Sequence, residues 1–562
     1  MTQSGRQLAK SVDRLTELWG EPSNRRKDVG ATVAILLISS ATAAAGAVHT
    51  RIYGHDIFVV LDGAWRVLNG QRPAVDFSPG VGPLSAMIVA AGLKLAGNSV
   101  RGVGYASALV AVFTGLWAYF LSRKRMAWAP AMLASLVLAL IAAAPYPLGL
   151  EPNQLSHAML YNRYGYALLG VVMIESFQGM EGGGAAAWLF SGITSGVVSV
   201  LLLFLKPSFG LVALTFIGIS ALFGSRSTAR LLGVFSGLVA AGVGWLVYMR
   251  FEVVPLWSEL QLLAAARSSA LSGWAVRWAL IKGLPDFLWV ALLALFVILV
   301  RSYRPNGLRL FEPLAVAILV FIGQALLLAT NAQASGFPLN AALAIVLAEQ
   351  GRVAVKESGA PCPTAILRAD TIMLLIGLVC FLPTFAANAS GITAALFQTT
   401  RNPPESEVLR FQQKHLASLF LYDVPLGTDS DHRSNGRAYV NYVNDGVELL
   451  SRHTRPEETV ATLDLANPFS YALLRRPPHG GSSSMDYNYQ FNDQHKPTPE
   501  WLFGSADAVM LPKHPAASQP TVEALRRNYL PALEAGFRLC AESDGWQLYK
   551  RPSNLNGCAA GR

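Results

Sequence analysis

The feature that most constrains this chain is a succession of long apolar runs separated by short polar stretches, from about Ala31 to Ala387. Runs such as 31–48 and 231–249 approach the roughly 20 apolar residues that a helix needs to cross a hydrocarbon layer. No water reaches that layer to satisfy a backbone, so segments of this kind can only be helices packed beside one another. Composition agrees, with 52% hydrophobic and 14% charged residues and a mean hydropathy of +0.37, where soluble domains carry about a quarter charged residues. The formal charge of +10 lies mostly in short clusters between the runs. That is the pattern of anchors on an inner membrane face, and it argues for a lipid bilayer and against a nucleic-acid partner.

The basic clusters also fix an expected orientation. Residues 1–30 carry Arg6, Lys10, Arg14, Arg25, Arg26 and Lys27, so the N-terminus is expected inside. Leu84–Ala96 is short for a span and contains Lys94; as a helix lying on the outer interface, it leaves Arg123–Arg125, Arg226 and Arg230, Arg301, Arg304 and Arg309, and Arg352, Lys356 and Arg368 all inside. After a first span at Ala31–Val48, the others fall near 104–121, 128–144, 164–177, 186–205, 209–223, 231–249, 285–300, 313–330, 339–348 and 371–387. The expectation is a mainly α fold: a polytopic transmembrane helical bundle of about eleven spans, with a small C-terminal α/β domain on the outer side. The boundaries are 1–30 for an inner N-terminal segment, 31–388 for the membrane domain with an outer loop at 49–103, and 389–562 for the outer domain.

In that last part ETVATLDL and ADAVMLP read as buried strands, TVEALRRNYLPALEAG as a helix and FRLCAESDGWQLYKR as a hairpin. In the outer segment 251–284, Trp257, Leu260, Leu263, Leu271 and Trp274 recur near helical spacing among Arg267, Arg277 and Lys282, as in an interfacial helix. The four cysteines, Cys362, Cys380, Cys540 and Cys558, form no CxxC pair and no cluster at metal-ligand spacing, so no metal site is assigned. Cys540 and Cys558 would share an oxidising compartment, where a disulfide between them is left open.

The outer loop HDIFVVLDGAWRVLNGQRPAVDFSPGVGPL, 55–84, sets three carboxylates beside a membrane surface. Each has an ordinary explanation. Asp56 suits a helix N-cap before IFVVL, Asp62 lies four residues before Arg66 for an ion pair on one helix face, and Asp76 sits in a Pro/Gly-rich turn. In the segment LEPNQLSHAMLYNRYGY, Glu151 precedes a proline as a capping residue would, Arg163 suits a headgroup anchor, and His157 has no spaced metal partners. Lys206 ends one apolar run just before the next, as a snorkelling lysine does. Gln333 and Asn340 flank a short outer turn.

An acid shortly after the first span, a helix ending in glycine, and then QRPAVDFSPGVGPL resemble the first outer loop of the GT-C superfamily of glycosyltransferases, which includes protein O-mannosyltransferases and the aminoarabinose transferases of lipid A. The resemblance covers about residues 50–165; several members have Asp-Glu where this chain has His55-Asp56. It implies a bacterial inner-membrane protein with its C-terminal domain periplasmic. It also implies inverting transfer of a sugar from a polyprenyl-phosphate donor to a glycan or lipid acceptor of the envelope, with a loop aspartate as general base. On that pattern Asp56 matches the base and Asp76 a second acid of the loop. Glu151 matches the acid of the second outer loop, and Lys206 a lysine near the donor phosphate. Arg163, Arg267, Arg277 and Lys282 are then candidates for the phosphate. No cofactor is identified, and a divalent cation is left open. The rival reading is a non-enzymatic transporter or flippase of a lipid-linked saccharide. Against it, the apolar runs carry almost no interior charge and no repeat, whereas transporters place polar sites near the midplane of repeated halves.

Overall fold

The computed structural model describes residues 19–46, 48–180, 183–223, 228–267, 273–302, 310–331, 333, 335–358, 363–427, 434–555 and 558. The chain is mainly helical. The helices are α1 (Arg25–Ala45), α2 (Asp56–Leu68), α3 (Pro83–Leu95), α4 (Gly102–Ser122), α5 (Trp128–Ala143), α6 (Leu160–Phe177), α7 (Ala185–Leu205), α8 (Pro207–Phe223) and α9 (Thr228–Tyr248). They continue with α10 (Val253–Ala266), α11 (Gly273–Arg301), α12 (Glu312–Thr330), α13 (Leu339–Ser358) and α14 (Pro363–Arg401).

Every expected span falls on a helix, although the first stops at Ala45, short of Val48, which lies in a strand; length and composition suit only seven of these helices, or their apolar parts, for crossing a membrane: α1, α4, α7, α9, α11, α12 and α14. The physical reason differs among the rest. The helices α5 and α8 are apolar but only 16 and 17 residues long, while α6 carries the buried Arg163 and Glu175 and α13 carries Glu349, Arg352 and Lys356. Two helices outrun their expected limits. Pro285, the expected start of a span, lies inside the 29-residue α11, and α14 continues past Pro383 to Arg401. A proline removes one backbone donor without necessarily ending a helix in such a bundle. The short α3 is a 13-residue helix with proline at its start.

Close packing in the bundle depends on missing side chains. A Cβ at Gly192 or Gly196 of α7 would lie 2.1 or 2.3 Å from the carbonyl oxygens of Arg230 and Val234 on α9. Gly233 and Gly237 answer from the other side, with contacts of 2.2 Å each. Paired small-xxx-small stripes of this kind let two backbones touch where the apolar solvent offers no hydrophobic drive.

Beyond α14 come β2 (Val408–Arg410), β3 (Leu419–Tyr422), α15 (Gly436–His453), β4 (Val460–Thr462), α16 (Phe469–Ala472), α17 (Pro499–Phe503), β5 (Ala508–Pro512), α18 (Gln519–Gly536), β6 (Arg538–Glu542) and β7 (Trp546–Lys550). The expected strands, helix and hairpin are β4, β5, α18 and the antiparallel pair β6–β7. They form a four-stranded sheet in the order β4-β5-β7-β6, with β4 and β5 parallel. Its core centres on Trp546, fully buried, stacked 4.2 Å from Tyr442 and donating from Nε1 to the Tyr442 carbonyl at 2.8 Å. A second sheet was not expected. Val48–Thr50, just after α1, forms a strand, β1, that pairs in parallel with β3. The stretch after the first membrane helix is thereby hydrogen-bonded to the C-terminal part of the chain.

Cys540 and Cys558 form a disulfide. Mass-spectrometric thiol counting is expected to find two more alkylatable cysteines after reduction than before. The link closes a loop of 18 residues in sequence, so its reduction should lower the stability of this sheet by at most about 3 kcal/mol.

Candidate functional site

The loop at 49–103 and the C-terminal part of the chain meet at a cavity of about 440 Å³. Asp56 lines it. The left-handed turn at Tyr53 (φ 52°) brings the chain into α2, and the Asp56 amide donates to the Tyr53 carbonyl at 3.1 Å. Asp56 is the first helical residue and His55 the cap, so the N-cap role expected of Asp56 belongs to its neighbour, which makes no side-chain cap bond. His55 Nε2 lies 3.2 Å from the Asp56 carboxylate.

The opposite face of α2 packs on the C-terminal part, with Phe58 edge-on to Phe411 at 5.5 Å and Trp65 to Tyr471 at 5.8 Å. Asp62 and Arg66 are an ion pair, as their spacing predicts, but a buried one: Arg66 Nε donates to Asp62 at 2.7 Å, and Nη1 donates to the carbonyls of Pro478 and Gly480 at 2.9 and 2.8 Å. Backbone bonds Gly480 to Asp76, Ser78 to Gly481 and Ser483 to Ser78 extend the join. The chain from Ser483 to Gln490 thus forms part of the wall facing α2, and contributes Ser483, Ser484, Asp486, Tyr489 and Gln490 to it.

A quarter of the Asp56 side chain is accessible, on the side that lines the cavity. Burial, and secondarily the charge of Asp486, push its carboxyl up to about 7. Glu259 on α10 is likewise pushed up to about 7 by burial, although the Ser78 hydroxyl donates to it at 2.6 Å. Asp486 is held by the Thr521 hydroxyl at 3.1 Å. Asp486→Asn should therefore lower the Asp56 titration midpoint below 7, read as the pH dependence of carbodiimide labelling at Asp56; an unmoved midpoint would mean that the two charges do not interact.

Cationic and amide groups complete the wall. Arg267, at the end of α10, lines the cavity, donates from Nε to the Tyr489 carbonyl at 3.0 Å and lies 5.6 Å from that ring's centre. Lys206 lies just behind: its ammonium donates to the Thr330 carbonyl and the Asn331 side chain and sits 5.2 Å from the Tyr161 ring. Tyr161, Asn331 and Gln333 are themselves in the wall. Burial, with help from Arg267, pushes the Lys206 ammonium well below the usual lysine range. Among the described residues no group of three or more His, Cys, Asp or Glu side chains is arranged to hold a metal ion.

The other residues singled out from sequence lie elsewhere. Asp76 is gripped by Arg72 through its amide at 2.7 Å and its guanidinium at 3.0 Å, and the same arginine reaches Glu252 at 2.8 Å. Burial would raise the Asp76 carboxyl, but the Arg72 bonds and charge hold it below the usual range. Arg163 is buried within the bundle, donating to the Ile141 carbonyl at 3.1 Å and to Asn388 at 2.8 Å. Glu151 is exposed, although its neighbours Leu148 and Leu150 line the cavity. Arg277 and Lys282 are exposed on α11, the latter 6.0 Å from the Trp278 ring. Asn340 donates to the Asp286 carbonyl and accepts from Gln324. Sequence reading missed Asp486, Tyr489 and Ser483, since SSSMDYNYQ carries no spacing signal and reaches the site only through loop pairing.

The architecture is that of a helical membrane protein with a mixed α/β part over one end and a cavity where the two meet. No protein-family model matches the chain, and no curated protein matches it. Among solved structures the chain is similar to ArnT from Cupriavidus metallidurans in the apo state, with 14% identity, a TM-score of 0.40, and coverage of 95% of this chain and 99% of that one. It is also similar to the archaeal oligosaccharyltransferase AglB from Archaeoglobus fulgidus, determined with an inhibitory peptide and a dolichol-phosphate, with 13% identity, a TM-score of 0.36, and coverage of 93% and 74%. Likeness at this level carries no argument about activity, substrate or mechanism.

Proposed function

We propose that the chain is a membrane glycosyltransferase that moves a sugar from a polyprenyl-phosphate donor to a hydroxyl of an envelope glycan or lipid, at the outer face of a bacterial inner membrane. The observation that carries this reading is the placement of Asp56 in a cavity that also presents Arg267. A general base works best with a pKa near the operating pH, and the Asp56 carboxyl at about 7 meets that condition. In the proposed step ionised Asp56 takes the proton of the acceptor hydroxyl as its oxygen bonds the anomeric carbon. The bond from that carbon to the phosphate oxygen breaks, and the electron pair leaves with the phosphate. Attack opposite the leaving group inverts the anomeric centre.

Arg267 would stabilise the departing phosphate as charge develops on it. Lys206, placed behind Tyr161, would orient Asn331 toward the substrate. Tyr53, Tyr161 and Tyr489 offer ring faces and hydroxyls for a sugar, and Val59, Val60 and Val89 an apolar wall for the prenyl chain. The disulfide is in keeping with an oxidising outer compartment.

The test is transfer of radiolabelled sugar by membranes containing the chain, across a panel of polyprenyl-phosphate donors with envelope extracts as acceptor. Transfer from one donor above membranes lacking the chain is expected. A chain that transfers nothing across the panel, yet moves a lipid-linked saccharide across vesicles, would be a flippase instead.

A further inference from the structure

At the end of the bundle away from Asp56 lies a second cavity, of about 350 Å³, between the end of α4 and the start of α7. The turn after α4 supplies Arg123, Lys124 and Arg125 to its wall, and Trp117, Phe120 and Phe190 form much of the remainder. Two of the three cations have acidic neighbours: Arg123 pairs with Asp28, and Arg125 lies 3.8 Å from Glu175. Arg125 is buried, yet its Nε has no acceptor among the described residues. Lys124 is exposed and has no ion-pair partner among them. Among the described residues three cations face two carboxylates here, which leaves the cavity mouth one positive charge in excess.

An aromatic strip leads away from these cations. Phe113, Trp117 and Phe120 follow one another along α4 at helical spacing, Phe113 and Trp117 edge to face at 4.9 Å. Phe113, Phe120 and Phe190 are 51%, 46% and 57% exposed on the outside of the bundle. Rings exposed on a membrane-spanning surface face acyl chains, and cations at the end of such a helix face headgroups.

We propose that this cavity binds an anionic phospholipid, its phosphate among Arg123, Lys124 and Arg125 and an acyl chain along the aromatic strip. A free phosphate ion would use the cations but leave the strip without a role. The site is independent of any chemistry at Asp56.

The test is native mass spectrometry of the full chain in detergent, titrated with phosphatidylglycerol and phosphatidylcholine of identical acyl chains. Phosphatidylglycerol is expected to bind about fivefold tighter or better, and Lys124→Glu to weaken it about tenfold. Lys94→Glu, an exposed charge reversal on α3 at the opposite end, should leave that affinity unchanged. Equal affinity for the two lipids would overturn the proposal, as would phosphatidylglycerol binding untouched by Lys124→Glu. Displacement of the lipid by equimolar inorganic phosphate would make the ligand a phosphate ion and overturn it too.

Discussion

Asp56→Asn is expected to lower sugar transfer by about two to four orders of magnitude, the usual scale for losing a general base. The amide has the size of the carboxyl and can face His55, but it cannot accept the acceptor's proton. No buried charge is stranded, so the thermal unfolding midpoint should stay close to that of the wild type. A matching pH dependence is expected. Below about 7 the wild-type carboxyl is protonated and cannot serve as base; above about 7 it is ionised, so the rate should rise with pH through that value and then level off. Initial rates across that range, at matched expression, provide the check. A variant keeping more than about a tenth of the wild-type rate would remove Asp56 from the base role.

The largest expected loss of stability comes from Arg66→Met. Its guanidinium is the counter-charge of Asp62, whose side chain is fully buried, and it also satisfies two carbonyls of the 478–480 stretch. Removing one member of a buried ion pair typically costs about 3–5 kcal/mol, because the other charge stays buried without compensation. The midpoint of thermal unfolding should fall accordingly. The double variant Asp62→Leu with Arg66→Met should recover much of the loss, since no lone charge then remains. If the double loss equals the sum of the singles to within about 0.5 kcal/mol, the two side chains do not act as a pair.

How far the sequence led depends on whether a property is carried by neighbours along the chain. The expected spans lie on helices because hydropathy over some twenty residues is a local quantity. Asp62 with Arg66 was legible for the same reason, being one helical turn apart, but their burial was not, because the chain that covers them comes some 400 residues later. Asp76 shows the converse. The family resemblance offered it as a site residue, whereas Arg72, four positions earlier, closes on it, and Asp76 does not line the cavity. Arg163 looked like a surface anchor and is instead buried against Asn388, a partner on the last long helix.

The sequence by itself determined that this chain is a helical membrane protein, that its carboxylate-bearing loop follows the first apolar helix, and that strands and helices of ordinary polarity close the chain, since each follows from composition and periodicity in a local window. Only the tertiary structure decided which of the polar residues share a site. The β1–β3 pairing and the bonds from 76–78 to 480–483 carry Asp486 and Tyr489 to Asp56, and such pairings between distant backbones leave no period or spacing in the chain that forms them.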